Sequence, residues 1–165
     1  MASKVLYKVF VYGTLKKGEP NHHWFSKSTD GYHKFLYNAQ TKEKYPLIIG
    51  TRYNVPFILH SPGNGHNARG EVYEVDNKVL SDLDILEDHP NYYIREEYEV
   101  ENIDTKSRKT EKVWIYMIKA FRKELLNQTF YENYSNFGEH GLKYVPRYLR
   151  EKNYNHRTEI LTEEK

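Results

Sequence analysis

Lys8-Val9-Phe10-Val11-Tyr12-Gly13-Thr14 is a run of β-branched and aromatic residues cut by a glycine. Such residues pack well on a pleated surface, so the run predicts a strand that ends in a turn at Gly13. Gly18 and Pro20 punctuate the loop that follows, and residues 22–25 suit a short helix. The strand signature recurs outward from there, at 32–39, 47–50, 55–60, 70–75, 92–100 and 112–118. Ser61-Pro62-Gly63-Asn64-Gly65 is the strongest turn signal in the chain. Asp76 is placed to cap a helix over 77–87, which Asp88-His89-Pro90 would end. A second short helix is expected over 124–132 and an ordered loop over 133–146. Strands dominate and helices do not alternate with them, which predicts an α+β fold. The chain divides into one domain, 1–147, and a charged tail, 148–165, expected to be flexible.

The 165 residues suffice for one hydrophobic core, and the 38% hydrophobic content fits a globular domain. Sixteen tyrosines are the unusual feature. Tyr joins apolar area to a polar tip, which suits pocket walls and equally suits half-buried strands. A net charge of +2 without a basic cluster gives no reason to expect a nucleic-acid partner. No stretch has the apolar length of a membrane helix, so no membrane partner is expected, and the first eight residues carry no apolar signal region. There is no cysteine, which removes disulfides, thiol nucleophiles and thiolate metal sites and fits a reducing, cytoplasmic setting. The patterns at Asn127-Gln128-Thr129 and Asn133-Tyr134-Ser135 match glycosylation acceptors only by chance on that reading. Oligomeric state is left open.

Several chemistries fail on their residue types. Gly13 and Gly18 have phosphate-loop spacing, but Glu19 and Pro20 stand where Lys and Ser or Thr would be needed. Eight histidines include no His-Glu-x-x-His and no pair at helical spacing with a third ligand near, so neither a metal nor another cofactor is expected. There is no Gly-x-Ser-x-Gly elbow for a serine hydrolase.

The 77–87 helix is more informative. At about 100° per residue, Val79, Leu80, Leu83 and Leu86 form one apolar stripe. Glu87 falls about 40° from its centre, whereas Asp82 and Asp84 fall about 100° away, towards solvent. An inward carboxyl at a helix C-terminus should have a raised pKa, from burial and from the negative end of the helix dipole. That suits proton transfer near neutral pH. A glutamate that snorkels or caps the helix end fits the same pattern, and the helical wheel alone does not decide between them.

Val11-Tyr12-Gly13-Thr14-Leu15 with Lys16-Lys17-Gly18 resembles the opening of the γ-glutamyl cyclotransferase family. Pro20-Asn21-His22, Tyr45-Pro46-Leu47-Ile48, Leu59-His60-Ser61-Pro62-Gly63 and Gly70-Glu71-Val72-Tyr73 are similar to its γ-glutamylamine branch. So are Leu83-Asp84-Ile85-Leu86-Glu87 with Pro90, Tyr93 and Arg95, and His140-Gly141-Leu142-Lys143-Tyr144 with Pro146-Arg147. The order and spacing of these motifs over residues 8–147 make the resemblance specific. It implies a small mixed β-barrel with flanking short helices and a substrate cavity beside the first turn. By resemblance Glu87 is the catalytic carboxylate, and Tyr12, Gly13, Thr14 and Leu15 form the substrate-binding loop. Tyr93 and Tyr134 are further expected to line the cavity. The implied partner is a small γ-glutamyl compound, cyclised to 5-oxoproline without cofactor or metal. Relatives acting on γ-glutamyl amino acids tend to carry Ser where this chain has Thr14, which leans towards γ-glutamylamines such as ε-(γ-glutamyl)-lysine. γ-Glutamyl amino acids, or simple binding without catalysis, are the alternatives.

Overall fold

The computed structural model describes residues 5–162, so residues 1–4 of the expected domain and 163–165 of the expected tail lie outside the described residues. Among the described residues seven strands form: β1 (Tyr7–Val11), β2 (His33–Thr41), β3 (Leu47–Gly50), β4 (Val55–Ile58), β5 (Arg69–Val75), β6 (Ile94–Asn102) and β7 (Thr110–Met117). One α-helix, α1 (Asn77–Glu87), lies between β5 and β6. Five strands close into a barrel in the order β1-β5-β2-β6-β7, and β3 pairs with β4 in a separate ribbon. The barrel is mixed because β1 meets β7 in parallel, with Val9 opposite Trp114, while its other pairings are antiparallel. No described helix is long and apolar enough to cross a membrane.

The period-two alternation of the strands splits the core in two. Phe10, Ala39, Val72, Val100 and Ile115, one from each barrel strand, gather in one buried cluster that fills the barrel. Their neighbours Val9, Val11, Tyr73, Val75 and Tyr116 face outward into a second cluster. That outward face is covered by Val79, Leu80, Leu83 and Leu86 of α1, the stripe expected from the sequence. Gly70 is required where β5 crosses β1, since a Cβ there would stand 2.2 Å from the Val11 carbonyl oxygen.

Asp76 caps α1 by accepting a hydrogen bond from the Val79 amide at 3.0 Å. The helix stops at Asp88, which takes the left-handed conformation (φ 50°) and returns its N–H to the Asp84 and Ile85 carbonyls. The expected helix over 124–132 is only a 3-10 turn, Lys123–Asn127. Leu125 is its single buried residue, and beyond it the backbone turns sideways, with the Tyr131 amide donating to the Leu47 carbonyl.

The flexible-tail expectation is corrected for residues 148–162. This segment folds back on the barrel with 3-10 turns at Arg147–Leu149 and His156–Glu159. Ile160 is fully buried in the outward-facing cluster, and Leu161 bridges to Phe121. High charge does not leave the segment loose because several of its charges are paired in place: Arg157 with Asp88 at 2.6 Å, and Arg52 with Glu151 at 3.3 Å. Ile160→Ala is therefore expected to destabilise the protein by about 2–5 kcal/mol, the usual cost of truncating a buried aliphatic side chain. Urea unfolding measures it; a tail without packing would give a change near zero.

Candidate active site

The end of β1, the turn after it, the end of α1 and the returning C-terminal segment enclose one cavity of about 310 Å³. It is bounded by Tyr12, Gly13, Thr14 and Leu15 at the turn and by Leu86 and Glu87 of α1. The five residues expected to form the site thus line the same cavity.

The turn owes its shape to close packing and to its carbonyls. A Cβ on Gly13 would stand 2.7 Å from the Pro56 ring, so only glycine lets β4 approach here. The Lys16 amide donates to the Gly13 carbonyl at 3.1 Å, and the Asn21 amide donates to the Thr14 carbonyl at 2.8 Å. Those closing bonds use the carbonyls of the turn, and the amides of Gly13, Thr14 and Leu15 donate in none of them. N–H groups without a protein acceptor beside a cavity are suited to a developing oxyanion. The Asn21 side-chain Nδ2 donates to the Thr14 hydroxyl at 2.9 Å and to the Tyr144 hydroxyl at 3.1 Å.

Tyr12 supports this wall from below. Its hydroxyl donates to the Tyr116 carbonyl at 2.7 Å and accepts from the Ile58 amide at 3.2 Å. Both of its hydrogen-bonding roles are filled by protein, so its side chain braces the cavity. Tyr93 lines the cavity as expected and donates to the Pro56 carbonyl at 3.1 Å. Tyr134 does not: its ring belongs to the barrel-filling cluster. Its backbone carbonyl instead accepts from the Lys16 ammonium, which also reaches Asn133 Oδ1 at 2.8 Å. Lys16 is buried and its pKa is pushed down, chiefly by desolvation. Lys16 thus ties the turn to residues 133–134.

Glu87 sits at the last position of α1, enclosed by protein yet open to solvent through the cavity. Burial pushes its pKa up to about 7 from an ordinary 4.5; nearby Arg147 opposes the rise and Asp84 adds to it. The raised value expected from the sequence is present, with desolvation as its main cause and the neighbouring Asp84 carboxylate adding to it against Arg147. The expectation that Asp84 faces solvent is corrected. Arg95 grips it through two bonds, Nε to Oδ1 at 2.8 Å and Nη2 to Oδ2 at 3.1 Å, and the Tyr116 hydroxyl donates to Oδ1 at 2.6 Å. The helical wheel could not foresee this because β6 and β7 supply the partners. Asp82 likewise accepts from the Ser28 hydroxyl at 2.6 Å. Arg147, unassigned by sequence reasoning beyond its motif, donates to the Leu86 carbonyl at 2.7 Å and places a cation at the C-terminal end of α1.

Among the described residues no three His, Asp or Glu side chains converge on a point that would hold a metal ion. The arrangement pairs one carboxyl poised between its two protonation states with a turn of unengaged amides. Such a pair can move a proton and stabilise an oxygen anion across one small substrate.

The γ-glutamyl cyclotransferase, AIG2-like family model matches residues 9–136. The chain belongs to this family. Among its relatives, gamma-glutamylaminecyclotransferase C of Danio rerio is 43% identical over 143 residues, covering 86% of this chain and 94% of the relative. Gamma-glutamylaminecyclotransferase of Homo sapiens is 36% identical over 147 residues, covering 84% and 96%. A crystal structure of an AIG2-like protein from Mus musculus superposes with a TM-score of 0.83 at 36% identity, covering 88% of this chain and 99% of that one. The mixed barrel is therefore the family fold. Tyr144, Arg147 and the cavity wall from Arg150 to Arg157 lie beyond the residues that the family model matches.

Proposed function

We propose that this chain is a γ-glutamylamine cyclotransferase that converts γ-glutamyl amines, such as ε-(γ-glutamyl)-lysine, into 5-oxoproline and a free amine, with Glu87 as its proton carrier. The observation that carries the reading is a carboxyl with a pKa pushed up to about 7 that lines a small cavity beside a turn of unengaged amides. The names of the Danio rerio and human relatives favour amines over γ-glutamyl amino acids.

The substrate's α-nitrogen forms a bond to its own γ-carbonyl carbon, and the bond from that carbon to the leaving nitrogen breaks. No water is consumed. The α-ammonium carries three protons and the lactam nitrogen keeps one, so two leave it in turn. Glu87 as carboxylate takes each and as carboxylic acid passes it to the departing nitrogen, which leaves as an ammonium, so the enzyme ends as it began. A pKa near 7 keeps both forms populated at neutral pH. The Gly13–Leu15 amides face the carbonyl oxygen as it gains charge. A cavity this small holds the substrate folded, and well-oriented intramolecular reactions reach effective molarities of about 10⁵ M or more. A small-molecule substrate and a cytoplasmic setting accord with the small cavity and the cysteine-free chain.

Product analysis tests the reading. With ε-(γ-glutamyl)-lysine the purified protein is expected to release lysine and 5-oxoproline in equal amounts. Glutamate as first product would mean hydrolysis and would overturn it.

A further inference from the structure

Asn21 stands at the head of the 3-10 turn His22–Ser26, where an asparagine side chain ordinarily caps the backbone amides. Here it caps none. Its backbone amide closes the loop on the Thr14 carbonyl at 2.8 Å, and the residue lines the cavity. With two hydrogens, its Nδ2 serves two hydroxyl oxygens, Thr14 Oγ1 at 2.9 Å and Tyr144 Oη at 3.1 Å.

A hydroxyl that accepts from an N–H keeps its own proton to give. Among the described residues neither of these hydroxyls donates to a protein acceptor. The other hydroxyls lining the cavity differ. Those of Tyr12, Tyr93, Tyr116 and Tyr154 give their protons to the Tyr116 carbonyl, the Pro56 carbonyl, Asp84 and Glu159. Tyr92 Oη makes no hydrogen bond, so nothing orients it. Tyr144 is buried and held still: its amide donates to Asn136 Oδ1 at 2.7 Å, and the Arg150 guanidinium lies 5.2 Å from its ring centre.

Two oriented donors set by one nitrogen match a carboxylate, which accepts on both oxygens and offers no proton in return. The charge of the cavity agrees, since Arg147, Arg150, Lys152 and Arg157 line it against Glu87 and Glu151. The γ-glutamyl group has one carboxylate, on the same carbon as the nitrogen that attacks. Anchoring that carboxylate fixes where the nucleophile lies.

We propose that Asn21 is a positioning residue: it turns the Thr14 and Tyr144 hydroxyls into a pair of donors that seats the α-carboxylate of the γ-glutamyl group. This rests on the cyclotransferase reading of the cavity and deepens it, giving a seat to a group that Glu87 and the Gly13–Leu15 amides leave unheld. Asn21 and Tyr144 are 123 residues apart, so the seat exists only in the folded chain.

The product keeps the α-carboxylate, so 5-oxoproline reports the seat without turnover. Calorimetry on the full chain compares 5-oxoproline with 5-oxoprolinamide, in which that group is neutral. The native protein is expected to bind the acid at least about tenfold tighter, the margin of a charge-assisted hydrogen bond over a neutral one. Asn21→Asp keeps the shape and reverses the polarity, because an aspartate accepts from both hydroxyls and withdraws their protons. It should erase or invert the preference and leave carboxamide affinity near native, whereas a merely structural loss would weaken both ligands alike. Tyr144→Phe and Thr14→Val each lack one donor and should lower acid binding about tenfold. Thr14→Ser keeps its hydroxyl and should bind the acid as the native protein does. Should Asn21→Asp fail to fold, Tyr144→Phe and the two Thr14 variants decide. Equal native affinity for acid and carboxamide, or no measurable binding of 5-oxoproline, would sink the seat. So would an Asn21→Asp protein that keeps the preference, which would put the carboxylate on the turn amides instead. Glutamate released from ε-(γ-glutamyl)-lysine in place of 5-oxoproline would refute the reaction itself; 5-oxoproline formed by a protein without acid preference would refute only the role of Asn21.

Discussion

Glu87→Gln is expected to leave the barrel folded and to lower kcat/KM by at least about a hundredfold, the usual contribution of a positioned acid–base group. The amide has the same shape and can still accept and donate hydrogen bonds, but it cannot carry a proton between two nitrogens. The native protein should lose activity on the acid side of pH 7 as the carboxylate is protonated, since burial sets that pKa at about 7. The variant's residual activity should lack that dependence. Its stability should move the other way. Glu87 is neutral in both folded and unfolded chains below pH 4.5, and above about 7 the fold bears the cost of a buried charge. The stability this group contributes is thus present below 4.5 and lost as pH rises to about 7. Gln carries no charge at any pH, so the variant should gain on the native protein between pH 4.5 and 8. The gain has a ceiling of about 3 kcal/mol, at 1.4 kcal/mol per pKa unit. Activity assays and urea unfolding across this range measure both effects. A folded Glu87→Gln protein with near-native turnover would end the case for Glu87 as proton carrier.

Blocking the substrate's α-amine should abolish the reaction altogether. That nitrogen is the nucleophile, and no side chain or water replaces it in ring closure. An α-N-acetylated ε-(γ-glutamyl)-lysine is expected to release no lysine, whereas the free compound turns over under the same conditions. An amidase would accept both, because its nucleophile comes from water or from the enzyme. Release of lysine and N-acetylglutamate from the blocked compound would place the protein in that other class.

Local pattern in the sequence determined a good deal. Asp76 as cap, the stripe of Val79, Leu80, Leu83 and Leu86, and the stop at Asp88 are all short-range features, and α1 spans the expected residues. The strand–turn at Val11 to Leu15 was legible for the same reason, as was Glu87 at the inner edge of the helix, because periodicity alone orients a side chain relative to its own element. Barrel closure, with β1 parallel to β7, brought the turn and Glu87 onto one cavity, and no local pattern encodes which strands meet. Asp84 was misread for that reason: its partners Arg95 and Tyr116 come from β6 and β7. The pattern could place Lys16 in a loop but could not foresee the Asn133 and Tyr134 oxygens that bury it, 117 and 118 residues away. The segment over residues 148–162 was the largest miss. Its charge density reads as a solvated tail when counted along the chain, and only tertiary structure supplies Asp88, Arg52 and the pocket for Ile160 that hold it down. Sequence made the turn at Tyr12 to Leu15 and the end of α1 legible, because each is a short stretch of chain; the cavity wall from Arg150 to Arg157 was decided by long-range packing and charge pairing, which composition cannot see.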